Sequence, residues 1–230
     1  MKREIITTHD GSKTIHVLEW NEHYHSTHGA IQEALHVYLK EGLAFFLDSE
    51  SFYKGAQPIS ILEIGFGTGL NALLTLAEAE KQQIKINYTG VEGFPVSHSE
   101  IDQLNYGEAV TIKNSNALFQ KLHNCDWEKF CNISEGFQLK KQRKQFSEID
   151  DTNQFDILYF DAFGPRVQPE LWTETIFNAM FKALKPNGVL VTYCAQGNAR
   201  RAMMTAGFTV ERVNGPPGKR HMLRARAIKK

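Results

Sequence analysis

One short stretch constrains this chain more than any other: a glycine-rich turn placed directly after an apolar run. Ile59-Ser60-Ile61-Leu62-Glu63-Ile64 is rich in β-branched residues and bounded by Pro58 and Gly65. It therefore reads as a strand buried on both faces of a parallel sheet. Gly65, Gly67 and Gly69 follow, and residues 70–80 have helix-forming composition. Such a loop presents free backbone N–H groups at the helix amino end, and its glycines let a ligand approach closely. The unit predicts a doubly wound α/β sheet with its ligand crevice at the carboxyl ends of the strands.

The rest of the chain repeats the alternation. Residues 84–91 read as a second strand ending at Glu92-Gly93-Phe94-Pro95, and 97–103 as the start of a helix. Residues 105–147 show little pattern beyond a candidate strand at 137–139. Residues 155–160 form the next clear strand and close on Asp161. An amphipathic helix is expected over 171–184, started by Pro169 and ended by Lys185-Pro186-Asn187-Gly188. A strand at 189–195, a helix at 199–206 capped by Gly207, and strands at 208–213 and 221–227 complete the pattern. Before the sheet, residues 3–8 and 14–20 alternate around His9-Asp10-Gly11-Ser12, a hairpin signal, and 30–47 carry apolar residues at helical spacing. The expected fold is thus α/β and Rossmann-like, with a mostly parallel seven-stranded sheet and helices on both faces. Residues 1–57 are expected to form a hairpin-and-helix appendage packed on the core and not a separate domain, marked off by Gly55 to Pro58, with residues 58–230 the main domain.

Composition narrows the setting. At 230 residues with 42% apolar and 23% charged content, the chain can bury a full core without staples. Its charged start lacks the apolar centre of a signal peptide, and no apolar run is long enough for a bilayer. Cys125, Cys131 and Cys194 include no C-x-x-C pair, which argues against disulfides and structural zinc. His23, His25 and His28 cluster without an acidic companion on a defined element, so no metal is expected. A cytoplasmic protein is the expectation.

The spacing of the glycines separates the cofactor possibilities. A dinucleotide fingerprint needs a glycine where Leu70 stands, whereas Glu63 with glycines at 65, 67 and 69 suits S-adenosyl-L-methionine. That cofactor's amino-acid end carries an ammonium and no phosphate. Glu92 is placed to accept hydrogen bonds from both ribose hydroxyls. The expected cofactor set is Glu63, Gly65, Phe66, Gly67, Gly69, Glu92 and Gly93. The adenine contact is left open between backbone and Gln142.

Asp161-Ala162-Phe163-Gly164-Pro165 lies at a strand's carboxyl end, facing the crevice. Transfer of a methyl group to an amine needs the ammonium to lose a proton and aim its lone pair, and a carboxylate can do both. Asp161 is the candidate for this role, with Phe163 and Pro165 beside the acceptor; the competing reading is a turn-forming aspartate.

At these motifs the chain resembles a family. The stretches Glu22-His23-Tyr24-His25-Ser26-Thr27-His28-Gly29-Ala30, Glu63 through Asn71, Glu92-Gly93-Phe94-Pro95, Phe160 through Pro165 with Pro169-Glu170-Leu171-Trp172, and Gly215 through Leu223 carry the likeness. The family is the methyltransferase domain of the bifunctional proteins that make 5-methylaminomethyl-2-thiouridine at the tRNA wobble position. The resemblance implies methylation of the primary amine of 5-aminomethyl-2-thiouridine, with the key acid at Asp161. It departs where the family commonly has Tyr-Phe-Ser against Tyr24-His25-Ser26, and Ala or Ser against Gly164. Without a second glycine fingerprint, the chain is expected to act apart from an oxidase domain and to receive the aminomethyl group from a separate enzyme.

Charge points the same way. The 26 basic and 26 acidic residues cancel, yet residues 200–230 hold nine Lys or Arg against Glu211 alone, and Lys140-Lys141-Gln142-Arg143-Lys144 forms a second cluster. Such asymmetry is expected either of a tRNA-facing surface or of ordinary solvated charge. Lys219 and Arg220, with Arg200 and Arg201 nearby in sequence, are the expected phosphate contacts. Two other functions fit the same motifs: transfer to another amine, such as a small molecule, or RNA binding without catalysis.

Overall fold

The computed structural model describes residues 2–49 and 57–229. Of the expected break before the sheet, Gly55 falls outside the described residues, while Pro58 leads straight into a strand.

An amino-terminal sheet is built from β1 (Arg3–Thr7), β2 (Lys13–Val17) and a two-residue β3 (Glu22–His23), all antiparallel. Asp10 closes the β1–β2 turn: its Oδ1 accepts from the Ser12 backbone N–H and from the Thr8 hydroxyl. The third strand has no signature of its own and was not expected. One continuous helix follows over 30–47: α1 (Ala30–Ala34), a π-helical stretch Leu35–Ala44, and α2 (Phe45–Leu47). Gly42 lets the π-helix lie close to the main sheet, since a Cβ there would stand 3.0 Å from Val191 and 3.1 Å from Tyr159.

The main sheet comprises β4 (Ile59–Ile64), β5 (Ile86–Val91), β6 (Phe130–Ser134), β7 (Phe137–Gln142), β8 (Phe155–Phe160), β9 (Leu184–Thr192), β10 (Thr209–Asn214) and β11 (His221–Arg226). Their order across the sheet is β10-β11-β9-β8-β4-β5-β7-β6. β7, β5, β4, β8 and β9 are mutually parallel, and β11 runs antiparallel to both neighbours. The fold class is as expected, with one strand more than seven. The addition, β6, pairs antiparallel with β7 at the edge. Its side chains are mostly solvent-facing, so it lacks the apolar run by which buried strands declare themselves.

Helices α3 (Leu70–Gln82), α4 (His98–Ile101), α5 (Tyr106–Ala109), α6 (Ser115–Asn124), α7 (Glu174–Ala183) and α8 (Gly197–Thr205) pack around the sheet. Pro169 does not start the long helix as expected. It opens a 3-10 turn, Pro169–Trp172, and Thr173 then caps α7 by accepting the Ile176 N–H. Lys185-Pro186-Asn187-Gly188 is not a separate turn but an irregular entry into β9, where the register against β8 shifts.

Period-two alternation feeds two cores. Ile59, Ile61, Ile157, Tyr159, Val189 and Val191 face one cluster, with the π-helix and α3. Leu62, Ile64, Leu158, Phe160 and Leu190 face the other, with α7, α8 and Trp172. Each fully buried aliphatic or aromatic side chain contributes about 1.5–3 kcal/mol, and together they fix the sheet that carries the site. Ile15, Ala30, Ala34 and Val37 lie in the first core, so the amino-terminal segment shares packing with the sheet.

Candidate active site

The chain runs from β4 outward through β5 to β7, then returns to β8 and β9 on the other side. A crevice opens at such a reversal, outside the carboxyl ends of the strands. Gly65 follows β4, Glu92 follows β5, Asp161 follows β8 and Tyr193 follows β9 within one residue. All four line a single cavity of about 760 Å³.

The glycine loop is more closed than a free N–H cradle. Gly65 and Phe66 donate to Val91 O, and Gly67 N–H donates to Glu92 Oε2 at 2.9 Å. Glu92 Oε1 accepts from Phe94 N–H at 2.8 Å. The loop and the second-strand acid are therefore one prearranged unit. Gly65 sits at φ +87°, and a Cβ there would meet Asp161 O at 2.6 Å, so only glycine fits between the glycine loop and the Asp161 loop. Phe66 packs over Gly90, where a Cβ would stand 2.4 Å from its ring. His123 backs the loop, its Nε2 3.0 Å from Thr68 O.

Two carboxyls meet at Asn71. Its Nδ2 donates to Glu63 Oε1 at 2.9 Å and to Asp161 Oδ2 at 2.8 Å. Burial, then the nearby Asp161 charge, pushes the Glu63 carboxyl well above its ordinary value. Burial likewise raises Asp161 to about 7, against the nearby Tyr38 hydroxyl and the Asn71 hydrogen bond, which favour its ionised form. Tyr38 comes from the π-helix, and its hydroxyl faces Asp161. Glu63 Oε2 and Asn71 Oδ1 are buried without a hydrogen-bond partner among the described residues, beside the glycine loop.

The loop that follows Asp161 is anchored at two carbonyls. Trp172 Nε1–H donates to Phe163 O at 2.8 Å, and Tyr193 OH to Ala162 O at 2.9 Å. Trp172 is thus both core and the support for Phe163. The Phe163 ring meets Trp20 edge-on at 5.3 Å and Tyr24 at 5.0 Å. Arg166 Nη2 ties the Trp20 segment down through Trp20 O, Asn21 O and Glu22 Oε2 at 3.2, 3.0 and 2.9 Å. His25, also on the cavity wall, has its ring pushed down to about 4 by burial, so it stands neutral between Thr14 and Tyr106.

Of the residues expected from sequence, Glu63 lies buried directly behind the cavity, 1% exposed. Gly65, Phe66, Gly67, Glu92, Gly93, Asp161, Phe163 and Lys219 line it. Gly69 sits behind the loop against His123, and Pro165 stands outside the lining beyond Phe163. Lys219 and Arg220 part company: Lys219 turns inward onto Glu33, while Arg220 is exposed. Gln142 does not line the cavity, although its O accepts the Glu92 N–H at 2.9 Å; the edge near Gly93 is made by Gln145, Phe146 and Ser147. Asn71, Trp20, Tyr24, Glu33, Tyr38 and Tyr193 had no assigned role. For Tyr193 a signal existed, since it follows a parallel strand as Asp161 does.

Comparison with known proteins gives a consistent picture. Residues 120–228 match the model of a family described as S-adenosyl-L-methionine-dependent methyltransferase. The tRNA 5-methylaminomethyl-2-thiouridine biosynthesis bifunctional protein MnmC of Ectopseudomonas mendocina is 26% identical over 90% of this chain and 34% of its own length. The protein of the same name from Actinobacillus pleuropneumoniae serotype 5b is 27% identical over 89% of this chain and 32% of its own. This chain thus spans about a third of the length of these relatives. Among solved structures, MNMC2 from Aquifex aeolicus superposes with a TM-score of 0.73 at 23% identity, covering 98% of this chain and 70% of that one. A spermidine synthase in complex with the transition-state analogue AdoDATO superposes at 0.54 and 14% identity, covering 94% and 70%. These likenesses establish the class I methyltransferase fold, and the chain resembles the methyltransferase part of the bifunctional proteins.

Proposed function

We propose that this chain is an S-adenosyl-L-methionine-dependent N-methyltransferase that methylates the primary amine of 5-aminomethyl-2-thiouridine at the tRNA wobble position. The observation that carries the reading is the sharing of one cavity by the glycine loop with Glu92 and by Asp161, with Asn71 hydrogen-bonded to both Glu63 and Asp161.

The residues present fit the cofactor. Gly65 and Gly67 leave bare backbone at the cavity wall, and the orphaned Glu63 Oε2 and Asn71 Oδ1 offer acceptors to an ammonium group. Glu92, already fixed by two backbone N–H groups, keeps lone pairs for ribose hydroxyls. When bound, adenosylmethionine supplies a methyl group on a sulfonium centre, activated for in-line displacement.

On the acceptor side, the walls suit a cation: Trp20, Tyr24 and Phe163 present aromatic surface, and Asp161 supplies a carboxylate. An alkylamine ionises near 10.4, so an ordinary carboxylate would be about six units too weak to deprotonate it. With Asp161 raised to about 7, that gap shrinks to roughly three units. Asp161 orients the ammonium, takes one proton, and leaves the nitrogen lone pair aimed into the cavity. Asn71, Ala162 and Phe163 hold the carboxyl and its flanking ring still through the contacts described above. Because this cavity transfers a group to an existing amine, the aminomethyl group is installed beforehand by a separate enzyme. The setting is the cytoplasm, where tRNA is modified; no helix among the described residues is long and apolar enough to cross a membrane.

The test is incubation with methyl-labelled adenosylmethionine and tRNA bearing 5-aminomethyl-2-thiouridine, followed by digestion to nucleosides. Label is expected in the methylaminomethyl nucleoside. Label on small amines and none on tRNA would favour a small-molecule enzyme of the same fold instead.

A further inference from the structure

One basic side chain in the acceptor half of the cavity makes no direct contact in the chemistry above, although its charge favours the ionised form of Asp161: Lys219. It stands in the loop between β10 and β11, which glycines fold tightly. Gly218 has φ +83°, and a Cβ there would lie 2.2 Å from the His28 ring; one on Gly215 would lie 2.3 Å from Lys219 O. These contacts hold the loop against the amino-terminal segment and turn Lys219 inward.

Its Nζ donates to Glu33 Oε1 and stands 4.1 Å from the centre of the Tyr193 ring. Glu33 is 7% exposed, and its other oxygen accepts the Ser26 N–H at 2.8 Å. Tyr193 in turn bonds Ala162 O, next to Asp161. An ammonium carries three N–H donors, and Glu33 is its one hydrogen-bond acceptor among the described residues. Paired with Glu33, Lys219 has little net charge to offer a phosphate, and the acids Asp161 and Glu170 in the same cavity repel one. A neutral acceptor atom meets neither obstacle, while the spare N–H groups suit it.

We infer that Lys219, held by Glu33 and Tyr193, positions the acceptor by donating a hydrogen bond to a carbonyl oxygen of the pyrimidine ring that bears the amine. This rests on the proposed function and deepens it: the cavity selects an aminomethyl group attached to a carbonyl-bearing ring. Lys219 is accordingly a specificity-determining residue and not a phosphate contact.

The experiment compares wild type with Lys219→Met and Glu33→Gln in steady-state methyl transfer to tRNA bearing 5-aminomethyl-2-thiouridine, and in tRNA binding across a salt series. Lys219→Met is expected to raise KM for tRNA at least tenfold, to leave the adenosylmethionine Kd within twofold, and to leave the salt slope of tRNA binding unchanged. Glu33→Gln, which keeps an acceptor for the ammonium, should raise KM less and guards against a fold lost in the first variant. A KM within twofold of wild type in both variants would overturn the inference. So would a fall of about one in the salt slope for Lys219→Met, the signature of a lost phosphate contact. A wild-type protein that methylates no such tRNA would remove the parent reading as well; normal wild-type transfer with an indifferent Lys219→Met removes this inference alone.

Discussion

Among single residues, Asp161 joins a position set by the sheet to a chemistry set by its surroundings. Its position at a strand's carboxyl end was legible in the sequence, because a parallel strand followed by Asp-Ala-Phe-Gly-Pro has only one edge to open on. What surrounds it was not. Tyr38 and Asn71 reach it from 123 and 90 positions away, and no local pattern encodes such distances. A stability consequence follows from its raised pKa. Between the ordinary value near 3.8 and about 7, the folded state holds a proton that the unfolded chain releases, so this group's contribution falls as pH rises through that window. Asp161→Asn removes the penalty. Thermal melts should therefore show the variant gaining on wild type at pH 8 relative to pH 5; an equal difference at both would mean that Asp161 ionises normally in the fold.

Elements explain how the residues are delivered. Ile59–Ile64 and Phe155–Phe160 were readable to the residue because both faces of each strand are buried. β6 and β3 were not, the one being largely exposed and the other two residues long. The π-helical stretch Leu35–Ala44 has apolar spacing that reads as an α-helix, so its altered winding, and with it Tyr38, was invisible. Gly65 bears the tightest constraint between elements. Gly65→Ala combines a left-handed backbone, costing about 1–3 kcal/mol, with a clash against Asp161 O. The variant should melt several degrees lower and bind adenosylmethionine at least tenfold more weakly by titration calorimetry; wild-type affinity would show that the loop has slack. Arg166 makes a contrast. It is largely exposed, so its ion pair with Glu22 is worth about 0–1 kcal/mol. Arg166→Ala should leave the melting temperature almost unchanged yet raise KM for the acceptor several-fold, by freeing the Trp20 segment from Phe163. Unchanged KM would detach that segment from acceptor binding.

At the scale of the whole molecule, the amino-terminal hairpin and helix pack into the sheet's core and supply Trp20, Tyr24, His25 and Glu33 to the cavity. The basic tail is less of a surface than its composition suggests. Lys219 pairs with Glu33, Lys229 bonds Asn153 and the carbonyls of Lys182 and Leu184, and Arg224 bridges Glu41 and Glu211 with its guanidinium 3.6 Å from the Phe45 ring centre. Lys141, from the second cluster, is 1% exposed and donates to His123 O. Sequence charge counts register the sign of a side chain but not its partner. Arg224→Met should accordingly lower the melting temperature by several degrees while leaving the salt dependence of tRNA binding as in wild type; a reduced slope would return Arg224 to the RNA-facing surface.

In the proposed function, one cavity brings a methyl donor held by the glycine loop and Glu92 to an amine prepared by Asp161. Its most direct test is single-turnover methyl transfer to tRNA bearing 5-aminomethyl-2-thiouridine, by wild type and Asp161→Asn, from pH 6 to 9. Asp161 must be ionised to accept the proton, so the wild-type rate should rise with pH through about 7. Asp161→Asn should bind adenosylmethionine normally and transfer about a thousandfold more slowly, within the range that a single acid–base group contributes. Transfer by Asp161→Asn within tenfold of wild type, with the same pH profile, would contradict the account.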